Sequence, residues 1–237
     1  MKKIIPFIQI LFMVNIAILA QELEVNLSGK EIIEKHLEVI GGRDNLRNIQ
    51  DETMVLKNLP NEPKLGMTII KKAPNKYYQF IYTDSFSQQT IFNGEKGKTI
   101  QFGRELFFDD AENARMSDQS NLYLLLDLEK LKISTKRLQD ETINEIDCHV
   151  VKLSLGNDVE WTLYFDKSNY YMIRQIIPIF NDRGKFTQAI DFAEFRDFEG
   201  YIYPTVIKQL MEPQTVNLRV ESIEINSGVE EEMFELD

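Results

Sequence analysis

At 237 residues the chain is long enough for one large domain, and all-β folds often use this length undivided. Its 38 acidic residues outnumber its 27 basic ones, for a formal charge of -11. That balance argues against nucleic acid as a partner, because phosphate binding needs an extended positive surface. Cys148 is the single cysteine, which excludes an intramolecular disulfide and reads as a small, buried strand residue.

The first twenty residues are unlike the rest. Lys2 and Lys3 precede an apolar run over 4–19, and Ala20 offers a small residue at its end. These are the features of a secretory signal peptide cleaved after Ala20. At about sixteen residues, broken by Pro6, Gln9 and Asn15, the run is short for a membrane span. No cysteine follows it, which excludes a lipoprotein-type lipid anchor. The expected organisation is a signal peptide at 1–20 and one domain at 21–237.

Ser28 with Glu31 three residues later predicts a capping box, and Gly41-Gly42 predicts the helix end. Ile32, Ile33, His36, Leu37 and Ile40 form one stripe at helical spacing, expected to lie on a sheet, with Leu46 and Ile49 facing inward from a shorter turn. His36 is expected to be a partly covered helix residue, not a ligand. Strands are predicted at 53–59 (ended by Pro60 and Pro63), 64–72, 76–83, 88–92, 98–102 and 105–108. In the third, Tyr78, Phe80 and Tyr82 share one face and Tyr77 and Ile81 the other. Residues 109–120 are polar and weakly patterned. Residues 122–131, LYLLLDLEKL from Leu122 onward, predict a strongly apolar helix capped by Asp118 or Ser120, buried or inserted in a groove.

The stretch 148–179 organises the second half. Val159, Trp161, Leu163 and Phe165 alternate strictly with Glu160, Thr162 and Tyr164, and turns at Gly156-Asn157-Asp158 and Asp166–Asn169 bound the run. This is a β-meander signal, and its large apolar face must be covered or bind something. A long strand follows at 186–198. Pro204 inside 201–211 predicts an edge or a bulge. The apolar phase of 216–225 switches from even (Val216, Leu218, Val220) to odd (Ile223, Ile225), which predicts one extra residue near Ser222, a β-bulge that bends the sheet. Residues 229–234 predict a final acidic turn with Met233 and Phe234 tucked in.

The fold class expected from this order is mainly β with helices. It is a single strongly curved antiparallel sheet, a half-open barrel, with two or three helices plugging its concave face. Helices do not recur between strands, which argues against a parallel βαβ sheet.

Five segments carry a resemblance. IIEKHLEVIGGRDNLRNI (32–49) resembles the opening helix of outer-membrane lipoprotein-sorting proteins, the LolA/LolB-like group, and of its Bacteroidetes-type members in particular. KKAPNKYYQFI (71–81), WTLYFDKSNYYMIRQ (161–175), FRDFEGYIYPTVIK (195–208) and IEINSGVEEEMFEL (223–236) resemble later segments of that group, in the same order. The resemblance implies a half-open barrel with plugging helices, acyl-chain transport across the periplasm and no catalysis. Carriers of the group use an arginine to gate the helical lid, and the resemblance places that arginine on no residue here.

Chemistry-bearing motifs are sparse. Two histidines, His36 and His149, are too few for most histidine-rich metal sites. His149 follows Cys148 on a strand, so the two point to opposite faces and cannot form a dyad. No catalytic residue, cofactor or metal is expected. Aromatic content is high, with 15 Phe, 9 Tyr and 1 Trp. These residues can fill a core or line an acyl-chain cavity. The candidate cavity lining is Tyr78, Phe80, Tyr82, Phe92, Leu122, Leu125, Leu126, Trp161, Leu163 and Phe165. The expected function is a periplasmic carrier or binding protein for lipoprotein acyl chains or another lipid, its partner a lipid or an acylated protein. The alternative is a non-carrier module that docks an envelope protein through strand edges or its acidic surface.

Overall fold

A computed structural model describes residues 26–59, 64–156, 159–181, 184–211 and 214–237. The expected signal peptide, the Pro60–Pro63 break and the Asn157-Asp158 part of one turn lie outside the described residues.

The helices are α1 (Gly29–Val39), α2 (Arg43–Arg47) and α3 (Asp110–Ser120). Six strands form the first wing of the sheet: β1 (Asp51–Asn58), β2 (Leu65–Lys72), β3 (Lys76–Thr83), β4 (Ser87–Phe92), β5 (Gly97–Gln101) and β6 (Arg104–Phe107). Eight form the second: β7 (Ser134–Arg137), β8 (Glu141–Ile143), β9 (Ile146–Gly156), β10 (Val159–Asp166), β11 (Met172–Asn181), β12 (Gly184–Phe198), β13 (Tyr201–Met211) and β14 (Gln214–Ile225).

All the pairings are antiparallel, and the spatial order is β6-β5-β4-β3-β2-β1-β14-β13-β12-β11-β10-β9-β7, with β8 paired on β9. The first and last strands meet at the centre, so the β1–β14 ladder joins the two wings. β6 and β7 do not pair, and the sheet stays open as a curved half-barrel. Residues 108–133, with α3, link one open edge to the other.

The phase switch in β14 is a bulge. Val55 pairs with Ser222 and Leu56 with Val220, leaving Glu221 as the extra residue. It sits where β14 leaves β13 and continues along β1, so the bend falls at the junction of the wings. Pro204 is opposite Phe195 on β12, while β14 pairs β13 only over residues 206–211. The proline therefore occupies a local edge, where its missing N–H removes no bond to β14.

The predicted capping box forms. Ser28 Oγ accepts from the Glu31 amide, and the Glu31 carboxylate accepts from the Ser28 amide. Ile32, Ile33, His36 and Leu37 are buried against Val151, Leu153, Trp161, Leu163 and Phe165 of β9 and β10, so α1 lies in the concave face. On the other side of the same strands, Cys148, Val150, Tyr164 and Ile173 form a separate cluster under Ile143 and Ile146. Both faces of β9 and β10 are thus covered.

Two expectations give way here. Residues 122–131 are not a helix but a succession of turns, and the helix is α3 just before them, in the stretch that reads as polar and weakly patterned. Its start is a capping box: Asp109 Oδ1 accepts from the Glu112 amide at 2.7 Å, and Glu112 Oε2 from the Asp109 amide at 2.9 Å. In the turns, Leu124, Leu126 and Leu128 are all buried, a spacing that one helix face cannot present. At the C-terminus, Phe234 is buried but Met233 is exposed, because the 3-10 turn Glu231–Phe234 presents only one side to β3.

Candidate functional site

Between the sheet and residues 108–126 lies a cavity of about 930 Å³. Its size places it at the upper end of ordinary ligand cavities. The apolar wall comes from α1 and α2 (Leu37, Ile40, Leu46), the leucine turns (Leu122, Leu124, Leu125, Leu126) and the strands (Met54, Met67, Ile69, Ile81, Trp161, Leu163, Ile177, Ile190). Period-two alternation explains the strand set: Trp161 and Leu163 reach in while Thr162 faces out.

The polar wall is mostly uncharged. Gln79, Gln88, Gln119, Gln175, Gln188 and Gln209 line the cavity with Thr90 and Thr99, whose hydroxyls lie 3.4 Å apart. At one side Tyr203 Oη donates to Glu52 Oε2 at 2.9 Å, and Lys71 Nζ stands 3.8 Å from the same carboxylate. Burial raises the Tyr203 phenol above its ordinary value, and the adjacent Glu52 charge adds to this. Asp118, in the last turn of α3, faces the cavity with no ion-pair partner among the described residues. Burial pushes its carboxyl up to about 6, and a helix C-terminus is an unfavourable place for a negative charge. Tyr77 lines the cavity as well, and burial holds its phenol above the usual range.

Two arginines of α2 hold the leucine turns in place. Arg43 Nη2 donates to the Leu126 carbonyl at 2.7 Å, and its Nη1 reaches the Glu34 carboxylate at 3.2 Å. Arg47 grips Asp127 through two bonds of 2.9 and 2.5 Å and stacks 4.9 Å from the Tyr123 ring. Tyr123 Oη donates to the Ile49 carbonyl at 2.7 Å. The turns are thus a strap tied by polar groups at its surface and anchored in the core by Leu124, Leu126 and Leu128. α3 is also tied by polar groups: Asn75 Nδ2 donates to Ser117 Oγ, the Gly97 amide to Asn113 Oδ1, and Ser120 Oγ to the Asn75 carbonyl. Only Ser120 of α3 is buried. An element held by few apolar contacts, as α3 is, opens at low cost.

Of the residues expected around a cavity, Leu122, Leu125, Leu126, Trp161 and Leu163 stand in its wall. Phe165 is on the same face but lies deeper, its ring 5.0 Å from that of His36, and belongs to the solid core under α1. Phe92 is fully buried and outside the wall. Tyr78, Phe80 and Tyr82 are on the opposite face of β3, and Tyr77, Gln79 and Ile81 face the cavity instead. The outer face takes the larger aromatics because it has its own packing. Phe80 and Tyr82 stack at 5.6 Å, the Tyr82 ring covers Gly66, which leaves no room there for a side chain, and the C-terminal 3-10 turn lies on β3. Sequence reasoning also missed Asp118 and the α2 arginines. The Asp109–Glu112 pair was the available signal for α3.

His36 is buried, with Nδ1–H donating to the Tyr170 carbonyl at 2.9 Å. Burial lowers its imidazole to about 4, so it is neutral near pH 7. Cys148 is in the outer cluster, where burial pushes its thiol up to about 11. His149 faces the other way, against Tyr170 and Asp140. Among the described residues no group of three or more His, Cys, Asp or Glu could hold a metal ion, and no helix is long and apolar enough to cross a membrane.

An open antiparallel half-barrel with helices in its concave face is also the architecture of several solved structures. A domain assigned to outer membrane lipoprotein sorting from Vibrio parahaemolyticus superposes with a TM-score of 0.53 at 13% identity, covering 87% of this chain and 95% of that one. This chain shares the fold of that domain. A LolA-superfamily protein from Nitrosomonas europaea matches with a TM-score of 0.56 at 13% identity, over 88% of this chain and 98% of that one. A DUF1329-family protein from Desulfovibrio piger matches at 0.54 and 9% identity, over 88% and 97%. At such identities the likeness is one of fold alone. The narrower resemblance to Bacteroidetes-type members finds no support among these neighbours. No protein-family model matches the sequence, and no curated protein does.

Proposed function

We propose that the protein is a periplasmic carrier of lipoprotein acyl chains or another lipid, exported by a signal peptide at residues 1–20 and acting without catalysis. The observation that carries this reading is the cavity of about 930 Å³ beneath a cover of turns and one polar helix. Each methylene moved from water into such a wall contributes about 0.8 kcal/mol. A dozen buried methylenes therefore yield roughly 10 kcal/mol against association costs of roughly 4–15 kcal/mol. The two terms are of similar size, so binding stays reversible, as a carrier that must release its load requires. Release comes from moving α3, whose fastenings are mainly polar.

Lipid extracts of the purified protein, analysed by mass spectrometry, and uptake of a fluorescent fatty acid by delipidated protein test the proposal together. Bound lipid and saturable uptake are expected. A lipid-free protein that takes up nothing removes the reading.

One observation favours docking of an envelope protein. β6 is an unpaired edge, and Phe102, Leu106 and Phe107 around it are exposed at 76%, 57% and 63%. Free edges and clustered apolar side chains are common partner surfaces. Capture of an envelope protein that survives high salt, and is lost in Phe107→Ser, would support this reading. The same capture by the variant would argue against it.

A further inference from the structure

Beside the main cavity is a smaller space of about 260 Å³ between α3 and the outer ends of β11 and β12. Phe108, Met116, Gln119, Ile177, Ile179, Phe180 and Gln188 line both, so the smaller space is a vestibule continuous with the larger. Its charges are arranged in order. Arg115 of α3 lies over the Phe180 ring at 4.4 Å, and Lys185 Nζ approaches the same ring at 5.7 Å. Arg115 has no carboxylate partner among the described residues, although Glu112 borders the same space. The Glu112 carboxylate is turned back onto the Asp109 amide and is occupied as a helix cap. Further in, the charge facing the cavity from α3 is Asp118.

We propose that the vestibule is the head-group site for an anionic amphiphile: Arg115 takes its carboxylate or phosphate while the hydrocarbon chain runs past Met116 and Ile179 into the main cavity. The inference rests on the carrier reading and adds polarity to it. A stacked guanidinium keeps its N–H edge free for a planar or tetrahedral oxyanion. Asp118 opposes entry of an anion beyond the mouth, so the chain goes in and the head stays out. Lys185 adds a second positive charge at the rim.

Trp161, the chain's one tryptophan, stands in the cavity wall and reports occupancy. Delipidated full-chain protein is titrated with palmitate, hexadecyl phosphate and uncharged hexadecanol, following Trp161 fluorescence. The two anions are expected to bind about fivefold more tightly than hexadecanol, a size typical of a half-exposed charge contact. Arg115→Gln should bring both anions to the hexadecanol level and leave hexadecanol unchanged, while Arg115→Lys keeps part of the preference. Inorganic phosphate alone should leave the signal unaltered, and a response to it would overturn the amphiphile assignment in favour of a free-anion site. Hexadecanol binding without any preference for the anions, or a preference that survives Arg115→Gln, overturns this proposal and leaves the carrier reading standing. Failure of all three amphiphiles to bind removes the carrier reading as well.

Discussion

Replacing His36 by Gln should flatten the acid side of the stability profile. The His36 imidazole is sealed between α1 and β10 and titrates at about 4 in the folded protein, against an ordinary value of 6.5. A buried neutral histidine takes up its proton only on unfolding. Between about pH 4 and 6.5 the unfolded chain thus binds more protons at this position than the folded one. Stability from this group is complete above 6.5 and is lost as the pH falls toward 4. At about 1.4 kcal/mol per unit, the loss amounts to about 3 kcal/mol. Glutamine keeps an N–H for the Tyr170 carbonyl and cannot titrate. Asp118 works in the opposite direction. Its folded value near 6 lies above that of an exposed aspartate, so it destabilises the folded state above about pH 6, and this is relieved on acidification. Asp118→Asn should therefore be more stable than the wild type at pH 7.5 and gain nothing near pH 4. Urea denaturation of the three proteins from pH 4 to 7.5 measures both effects. Parallel profiles for wild type and His36→Gln would refute the reasoning about the buried imidazole.

Leu163, 1% exposed between α1 and the cavity, should cost about 2–5 kcal/mol on truncation to Ala, read as a lower denaturation midpoint. Arg47→Gln breaks a half-exposed ion pair with Asp127 and should cost less than about 1 kcal/mol. If the turns are a moving strap, it should nonetheless speed fatty-acid uptake in stopped-flow fluorescence, and an unchanged rate would assign Arg47 a purely structural role. Gly97→Ala would place a methyl group 2.5 Å from the Phe108 ring and 2.8 Å from the Ile91 carbonyl. About 1–3 kcal/mol of destabilisation is expected from such overpacking, with reduced uptake because Phe108 borders both spaces.

The fold was legible where side chains obey a single period. The alternation of Val159, Trp161, Leu163 and Phe165 placed one face of β10, and the phase switch after Val220 located the bulge at Glu221 to within a residue. Ser28 and Glu31 marked the start of α1. Reading failed where both faces of an element are apolar. β3 carries aromatics on each side, and the packing of its outer face, with Tyr82 on Gly66 and the C-terminal 3-10 turn, accompanies the side turned away from the cavity. The leucines of 122–131 satisfy helical spacing as well as a chain of turns. What selects turns is tertiary: Arg43 on the Leu126 carbonyl and Arg47 on Asp127, from residues some eighty positions earlier. α3 was missed for the converse reason, since a helix lying over a cavity mouth needs little apolar stripe to reveal it. Asp118 became visible as a cavity residue only once that helix was in place.

Quenching of Trp161 by a dibrominated stearic acid tests the central claim most directly, because bromine quenches only at close range and Trp161 stands in the cavity wall. Saturable quenching at a single site, reversed by unlabelled stearate and weakened by filling the cavity with Ile81→Trp or Leu125→Trp (read by competition), is the predicted result. Absence of quenching by an acid shown to be soluble under the same conditions, or quenching that neither stearate nor the filled-cavity variants diminish, would contradict a lipid-holding interior.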